Sequence, residues 1–275
     1  MSSHRAFAGA GGARSAGRDR LCIAGSRSEP YFRVGGAETF ALGGIGSFSQ
    51  EILLAEDAAI PIDRDVPWEV AALLGCGVTT GVGAVLNAAR LEPRSSVVVI
   101  GCGGVGTSVI QGARLAGAAE IVAVDRVAEQ REQARRFGAT DVASLDDLPA
   151  LQARLTGDAG GFDYGFEAVG APETIRATYD AVRRGGTAVI VGVGQTSQQV
   201  TFDAFELSHG DKTLRGTWFG SRDPRLEFGR VLHLWKTGRL DLEAMITHRG
   251  HLDDVNDAFD EIKAGRGVVR TVLTV

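Results

Sequence analysis

The sequence predicts an α/β fold built on a doubly wound parallel sheet, and three observations carry that prediction. Short β-branched runs alternate with polar-faced helical stretches from Ser95 onward, glycines punctuate the joins, and no internal repeat of roughly twenty to fifty residues is visible. VVVI, Val97 to Ile100, is a buried strand that ends in the turn GCGGVG, Gly101 to Gly106. Thr107 to Ala116 has helical composition and EIVAVD, Glu120 to Asp125, is a second apolar strand. Strand, helix and strand thus fit within about thirty residues, and the crossover between them should be right-handed. AEQREQARRFG (Ala128 to Gly138) is a polar-faced helix and FDYGFEAVG (Phe162 to Gly170) a third strand. PETIRATYDAV (Pro172 to Val182) is a helix opened by proline, and TAVIVGVG (Thr187 to Gly194) is a further strand. After Gly194 the pattern changes to TFDAFELSHGDKTLRGTWFG, then to a helix from about Pro224 to Thr237, another near Leu252 to Ala264, and a final strand in VVRTVLTV.

Composition narrows the partners. The 275 residues are 44% hydrophobic, enough to build a real core, and the net charge of -5 offers no electrostatic footprint for nucleic acid or an anionic membrane. Read along the chain, no apolar run approaches the length needed to span a bilayer, so neither nucleic acid nor membrane is expected as a partner. Three cysteines, Cys22, Cys76 and Cys102, are too few and too scattered for a disulfide framework. A reducing, cytoplasmic location is the expectation. Residues 1–28 are rich in Ala, Gly, Ser and Arg without hydrophobic periodicity, and little order is expected before Pro30.

Gly101, Gly103 and Gly106 match G-x-G-x-x-G, in which the first glycine makes the turn, the second admits a pyrophosphate and the third lets helix and strand pack closely. Gly104 and Val105 complete the loop. Asp125 ends the next strand, where a carboxylate can accept hydrogen bonds from adenosine ribose hydroxyls and would repel a 2′-phosphate. NAD is therefore favoured over NADP, although Arg126 beside it could grip such a phosphate. Further upstream, LLGCGVTTGVGA, Leu73 to Ala84, sets Cys76 between two glycines just ahead of an expected strand, a setting that suits a ligand or a reactive group better than a packed core. A lone thiolate closes no tetrahedral site, since catalytic zinc takes three protein ligands.

From about Phe40 to Val275 these motifs resemble the zinc-dependent alcohol dehydrogenases of the medium-chain dehydrogenase/reductase superfamily. SFSQEILLAEDAAIPI is similar to the segment leading out of the family's catalytic domain, LLGCGVTTGVGA to the stretch with the third ligand of the catalytic zinc, and VVVIGCGGVG and VAVD to its nucleotide-binding elements. GTWFGS and VVRTVLTV also sit where the family has them. Zinc-free quinone reductases of the superfamily do not usually carry a GCG-type cysteine ahead of the glycine motif, which favours the zinc branch. The resemblance implies a Rossmann NAD-binding domain at 78–217 and an incomplete GroES-like catalytic domain at 31–77 and 218–275, behind a poorly ordered tail at 1–30.

The resemblance also implies roles for single residues. Cys76 is expected to be a zinc ligand, and its partner cysteine and histidine are expected upstream of Met1, so the chain reads as N-terminally truncated with an incomplete metal site. Cys22 resembles at most the last cysteine of the structural zinc lobe, and none of His4, His209, His233, His248 or His251 lies in a ligand motif. Thr80 is expected near the nicotinamide carboxamide and Val105 under the ring region. Val169 and the backbone of Val191, Gly192 and Val193 should line the nicotinamide side, and Arg270 should meet the pyrophosphate, a role suited to a bidentate guanidinium. Gln130 stands where many members carry a lysine. The activity implied is hydride transfer between an alcohol, or an aldehyde adduct, and NAD, with zinc as Lewis acid. Two alternatives stay open: an inactive NAD-binding remnant, and a zinc-free NADPH-dependent reductase. A homodimer is expected through strands around Thr201 to Phe219, whose apolar and β-branched residues would leave an open sheet edge.

Overall fold

The computed structural model describes residues 6–8, 32–39, 47–52, 56, 59–265 and 269–275. His4, Cys22 and most of the expected tail lie outside the described residues. Six parallel strands form the central sheet: Ser96–Ile100, Glu120–Val124, Asp141–Ala143, Phe162–Glu167, Val182–Ile190 and Thr213–Gly216. Numbered by their place in the chain, they lie side by side in the order sixth, fifth, fourth, first, second, third. Val97 consequently pairs with Ile121 on one side and Tyr164 on the other, and the strand order reverses beside Ser96–Ile100. Such a reversal opens a crevice at the carboxyl ends of the strands, where ligands of doubly wound sheets bind.

The β-branched run explains the centre of the sheet. Val97, Val98 and Val99 are fully buried, because helices cover both faces and each side chain finds an apolar neighbour. Gly104–Ala116 packs behind the first strand and ends at Gly117, whose φ of 84° gives the left-handed cap that glycine adopts without strain. Ala128–Phe137, Leu148–Thr156, Pro172–Ala181 and the short Ala204–His209 supply the other crossovers, the third opened by its proline as expected. The short strand Asp141–Ala143 and the helix Leu148–Thr156 escape the sequence reading, because the strand has three residues and the helix a weak polar contrast.

Ahead of the sheet runs one helical rod, Trp68–Ala89, in which α-helical turns alternate with wide π turns at Leu74–Val78 and Ala84–Ala89. It runs for 22 residues and holds an 18-residue stretch with a mean hydropathy of 1.6, which corrects the expectation that no apolar run reaches bilayer-spanning length. That stretch is 72% buried inside the fold, as a core helix is. Val70, Leu74, Val78, Val82 and Val85 share one hydrophobic cluster with Val99, Val109 and Phe166 of the sheet layers and with Phe228, Val231, Leu242 and Met245 from the C-terminal part. The expected boundary at 77/78 falls inside this rod. Its position also corrects the strand expected after Cys76, since the thiol stands on a helix.

Other boundaries move. The strand read as reaching Gly170 ends at Glu167, and the one read as Thr187 to Gly194 spans Val182–Ile190, so Val169, Val191, Gly192 and Val193 lie in turns past the strand ends. The stretch Thr201 to Phe219 holds a helix, Ala204–His209, and one strand, Thr213–Gly216, in place of several strands. That strand is the fully exposed edge of the sheet. Beyond Pro224–Lys236, the strand Ile246–His251 pairs in parallel with Arg270–Thr274, which brings Arg270 back over the rod.

Candidate functional site

The glycine turn shows what each of its glycines is for. Gly101 has φ of 95°, a left-handed conformation that glycine permits, and lies against Val169 and Ala168 of the neighbouring turn. At Gly106 an added β-carbon would come within 1.7 Å of the Gly101 carbonyl oxygen, so the residue is glycine to let helix and strand touch. Gly103 differs from both. Its φ of -67° suits any residue, and an added β-carbon would meet nothing within 4 Å. The protein itself gives no reason for a glycine there, whereas a ligand pressed against the backbone does. Gly104, Val105 and Gly106 follow as the first turn of Gly104–Ala116, where N–H groups lack helical acceptors and favour an anion.

Asp125 is fastened beside this turn. Its Oδ2 accepts from the Cys102 N–H at 2.8 Å and its Oδ1 from the Val127 N–H at 2.9 Å. Each oxygen keeps a further lone pair for a hydroxyl donor. Arg131 donates to the Asp125 carbonyl at 2.7 Å, while Arg126 is exposed and reaches toward Gly265. Cys102 is buried; burial, reinforced by the Asp125 charge, pushes its thiol pKa far up, in keeping with a small neutral filler.

Arg270 arrives from the C-terminal strand and lays its guanidinium between Gly77 and Gly104. A β-carbon on Gly77 would lie 1.9 Å from it, and one on Gly104 would lie 2.1 Å from it, so both glycines are vacated for this side chain. No carboxylate among the described residues forms an ion pair with it. Burial lowers its pKa, with the neighbouring Cys76 acting in the opposite sense. A desolvated cation over a helix N-terminus is arranged to receive an anion.

At the far end of the crevice, Val169 and Val193 are 52% and 74% exposed, unusual for valines held in ordered turns. Val191 is buried, Gly192 packs against the backbone of Val169 and Gly170, Thr80 is buried within the rod, and Val105 is half-buried at the edge of the core. Sequence reasoning missed Glu167, a fully buried carboxylate at the base of these turns, and Gly77, which makes room for Arg270. An acid inside the apolar run GFEAVG was the available signal for the first. For the second there was none, because the contact joins opposite ends of the chain.

The metal expectation fares differently. Cys76 is an exposed free thiol, and among the described residues no three His, Cys, Asp or Glu side chains converge to hold an ion. His209 stacks on Phe205 and His251 bonds within its own turn. The described residues therefore do not fit a catalytic zinc.

Known proteins similar to this chain are dehydrogenases. The family model described as zinc-binding dehydrogenase matches residues 104–236. The S-(hydroxymethyl)glutathione dehydrogenase of Escherichia coli O1:K1 is 35% identical over 269 residues, covering 94% of this chain and 72% of that protein. The benzyl alcohol dehydrogenase of Acinetobacter calcoaceticus superposes with a TM-score of 0.79 at 31% identity, over 85% of this chain and 64% of that one. A protein of Sinorhizobium meliloti 1021 solved with NADP bound gives a TM-score of 0.64 at 25% identity, over 73% of this chain and 58% of the other. This chain thus spans about two thirds of the length of such relatives. With its ordered motifs, its six-stranded sheet and this degree of identity, the chain belongs to the zinc-binding alcohol dehydrogenases of the medium-chain dehydrogenase/reductase superfamily.

Proposed function

We propose that the chain is an NAD-dependent oxidoreductase of the alcohol dehydrogenase type, built to work on a small alcohol or an aldehyde adduct. The observation that carries this reading is the vacancy over Gly103, framed by the helix N-terminus and the unpaired Arg270 guanidinium. The N–H groups of Gly104, Val105 and Gly106 and the Arg270 cation would hold the pyrophosphate. Asp125 would take the ribose hydroxyls through its spare lone pairs, and its charge favours NAD over NADP. Val169, Val191, Gly192 and Val193 would side the nicotinamide, with Thr80 near its carboxamide. When bound, the nicotinamide supplies the hydride acceptor. Residues 78–217 would act as the nucleotide-binding unit and 31–77 with 218–275 as the GroES-like flank. The exposed edge strand Thr213–Gly216 would pair two copies, and a cytoplasmic location follows from the cysteine usage.

A second reading is favoured by the Cys76 thiol: a chain that binds NAD without turning it over, because no three candidate metal ligands converge among the described residues. Titration of the purified 275-residue chain with NAD, alongside metal analysis and a panel of alcohols, separates the two. NAD binding with bound zinc and alcohol-dependent NADH formation supports the oxidoreductase. NAD binding by metal-free, inactive protein supports the second reading. Binding of NADPH alone, with chelator-insensitive reductase activity, would overturn both in favour of a zinc-free reductase.

A further inference from the structure

Glu167 ends the fourth sheet strand and is fully buried, yet its two carboxylate oxygens are treated very differently. Oε1 accepts three hydrogen bonds, from the Val169 N–H at 2.9 Å, the Gly170 N–H at 2.7 Å and the Thr174 hydroxyl at 2.6 Å. Oε2 accepts none. The Glu167 carbonyl oxygen accepts two more, from the Val191 N–H at 2.8 Å and the Gly192 N–H at 3.0 Å. One residue thereby fastens both turns that rise from the sheet at the end of the crevice.

The turns also clasp each other. A β-carbon on Gly192 would lie 2.2 Å from the Gly170 nitrogen and 2.7 Å from Oε2, and one on Gly170 would lie 2.6 Å from the Val193 backbone. Such close backbone contact leaves no room for sliding. What the clasp presents outward is the pair Val169 and Val193, each more than half exposed, so a buried carboxyl group is used to hold two apolar side chains in the open. Burying a carboxylate is costly unless donors surround it, and an arrangement of this kind is retained where geometry matters.

We infer that Glu167 is a positioning residue for the nicotinamide half of the cofactor: its carboxylate sets the two turns so that Val169 and Val193 form an apolar seat for the ring. Its carboxylate bonds neither the pyrophosphate turn's N–H groups nor Asp125, and its one link to that turn is through Val169, which lies against Gly101, so the adenosine half should depend on it far less than the ring does. The inference rests on the cofactor reading above.

The two halves can be titrated separately, with NADH for the whole cofactor and ADP-ribose for the part that lacks nicotinamide. In Glu167→Gln the side-chain volume is kept, but an amide NH₂ replaces one carboxylate oxygen, either among the three donors at Oε1 or against Gly192 at Oε2. Affinity for NADH should fall about tenfold while that for ADP-ribose stays within about twofold. The fluorescence of bound NADH should also change, because the ring would leave its apolar seat. Gly192→Ala, which wedges the clasp apart without altering Glu167, should reproduce the pattern, and it serves as the second test where Glu167→Gln fails to fold. Equal losses for both ligands would make the role merely structural and overturn the inference, as would unchanged NADH binding in both variants. Wild-type protein that binds ADP-ribose but not NADH would also sink it, while wild type that binds neither would overturn the cofactor reading and this inference with it.

Discussion

Alanine placed separately at Gly103 and Gly106 should split the glycine turn into its two physical functions. At Gly106 the new β-carbon would lie 1.7 Å from the Gly101 carbonyl oxygen, where real β-carbons essentially never come under 3.0 Å, so helix and strand must part by about 1.3 Å, the difference of those two distances. Overpacking of that kind costs about 1–3 kcal/mol, and in a domain of this size each kcal/mol lowers the melting temperature by about 2–4 °C. At Gly103 the backbone already suits alanine and the space beyond it is open, so the fold should lose less than about 1 kcal/mol, the difference between glycine and alanine at a helix cap. The methyl group would instead occupy the approach of the pyrophosphate. Loss of one charged hydrogen bond, about 1.5–3 kcal/mol, raises the NADH dissociation constant roughly 10- to 100-fold. Thermal melts and NADH fluorescence titrations on both variants measure the two effects. A Gly103→Ala protein that binds NADH like wild type, or a Gly106→Ala protein that melts like wild type, would refute the division of roles.

Asp125→Ala should weaken NAD about tenfold and narrow its advantage over NADP, and should also cost stability, because the N–H of buried Cys102 loses its acceptor; parallel titrations with both cofactors show whether this acid reads the ribose. Asp163 ties two strands together, accepting from the Ser96 N–H at 2.8 Å and the Ser96 hydroxyl at 2.9 Å and pairing with Arg183 at 2.7 Å. Partial burial opposes its ionisation, but these donors outweigh it and hold its pKa below the usual carboxylate range. A depressed folded pKa contributes stability above the unfolded value of about 3.9 that is lost as pH falls through the folded one. Asp163→Asn should therefore be about 1–2 kcal/mol less stable at pH 7, with the gap closing below about pH 4; a gap that does not shrink in acid would show the charge to be irrelevant. Light scattering at micromolar concentration should give a dimer that Leu214→Lys, on the exposed edge strand, converts to monomer, and a monomeric wild type would remove the edge-pairing proposal.

Much of this arrangement is legible in the sequence because it is local. Val97 to Asp125 carries a strand, a glycine turn, a helix and a second strand in one continuous run, and Gly101 and Gly106 announce geometric demands that the structure then displays at the same positions. Strand ends are harder to read. Glu167 and Ile190 close their strands, yet the apolar residues that follow, Val169, Val191 and Val193, look like more strand, because an apolar turn facing a ligand has the same composition as a buried edge. The rod Trp68–Ala89 misleads for a related reason: TTGVGAV is β-branched and glycine-rich, but packing of those glycines against Gly220 and Ser108 overrides the local preference.

The cofactor and metal expectations part company on the same physical ground. Every group proposed for the pyrophosphate is either carried by the turn itself or delivered to it by Arg270, which the pairing of Ile246–His251 with Arg270–Thr274 brings across the fold to Gly77 and Gly104. That delivery leaves a cation desolvated without a carboxylate to meet it among the described residues, a state that costs free energy until an anion arrives, so the protein's own energetics point to a ligand at this spot. Cys76 sits on the same rod, one residue before Gly77, but among the described residues no set of metal ligands converges on it: its thiol is exposed and neighbours Arg270, a cation that would repel a metal ion rather than help to bind one. A guanidinium already poised for phosphate and a thiol still without fellow ligands mean that nucleotide binding has stronger physical support in these residues than metal binding, and the two should be separable in the laboratory.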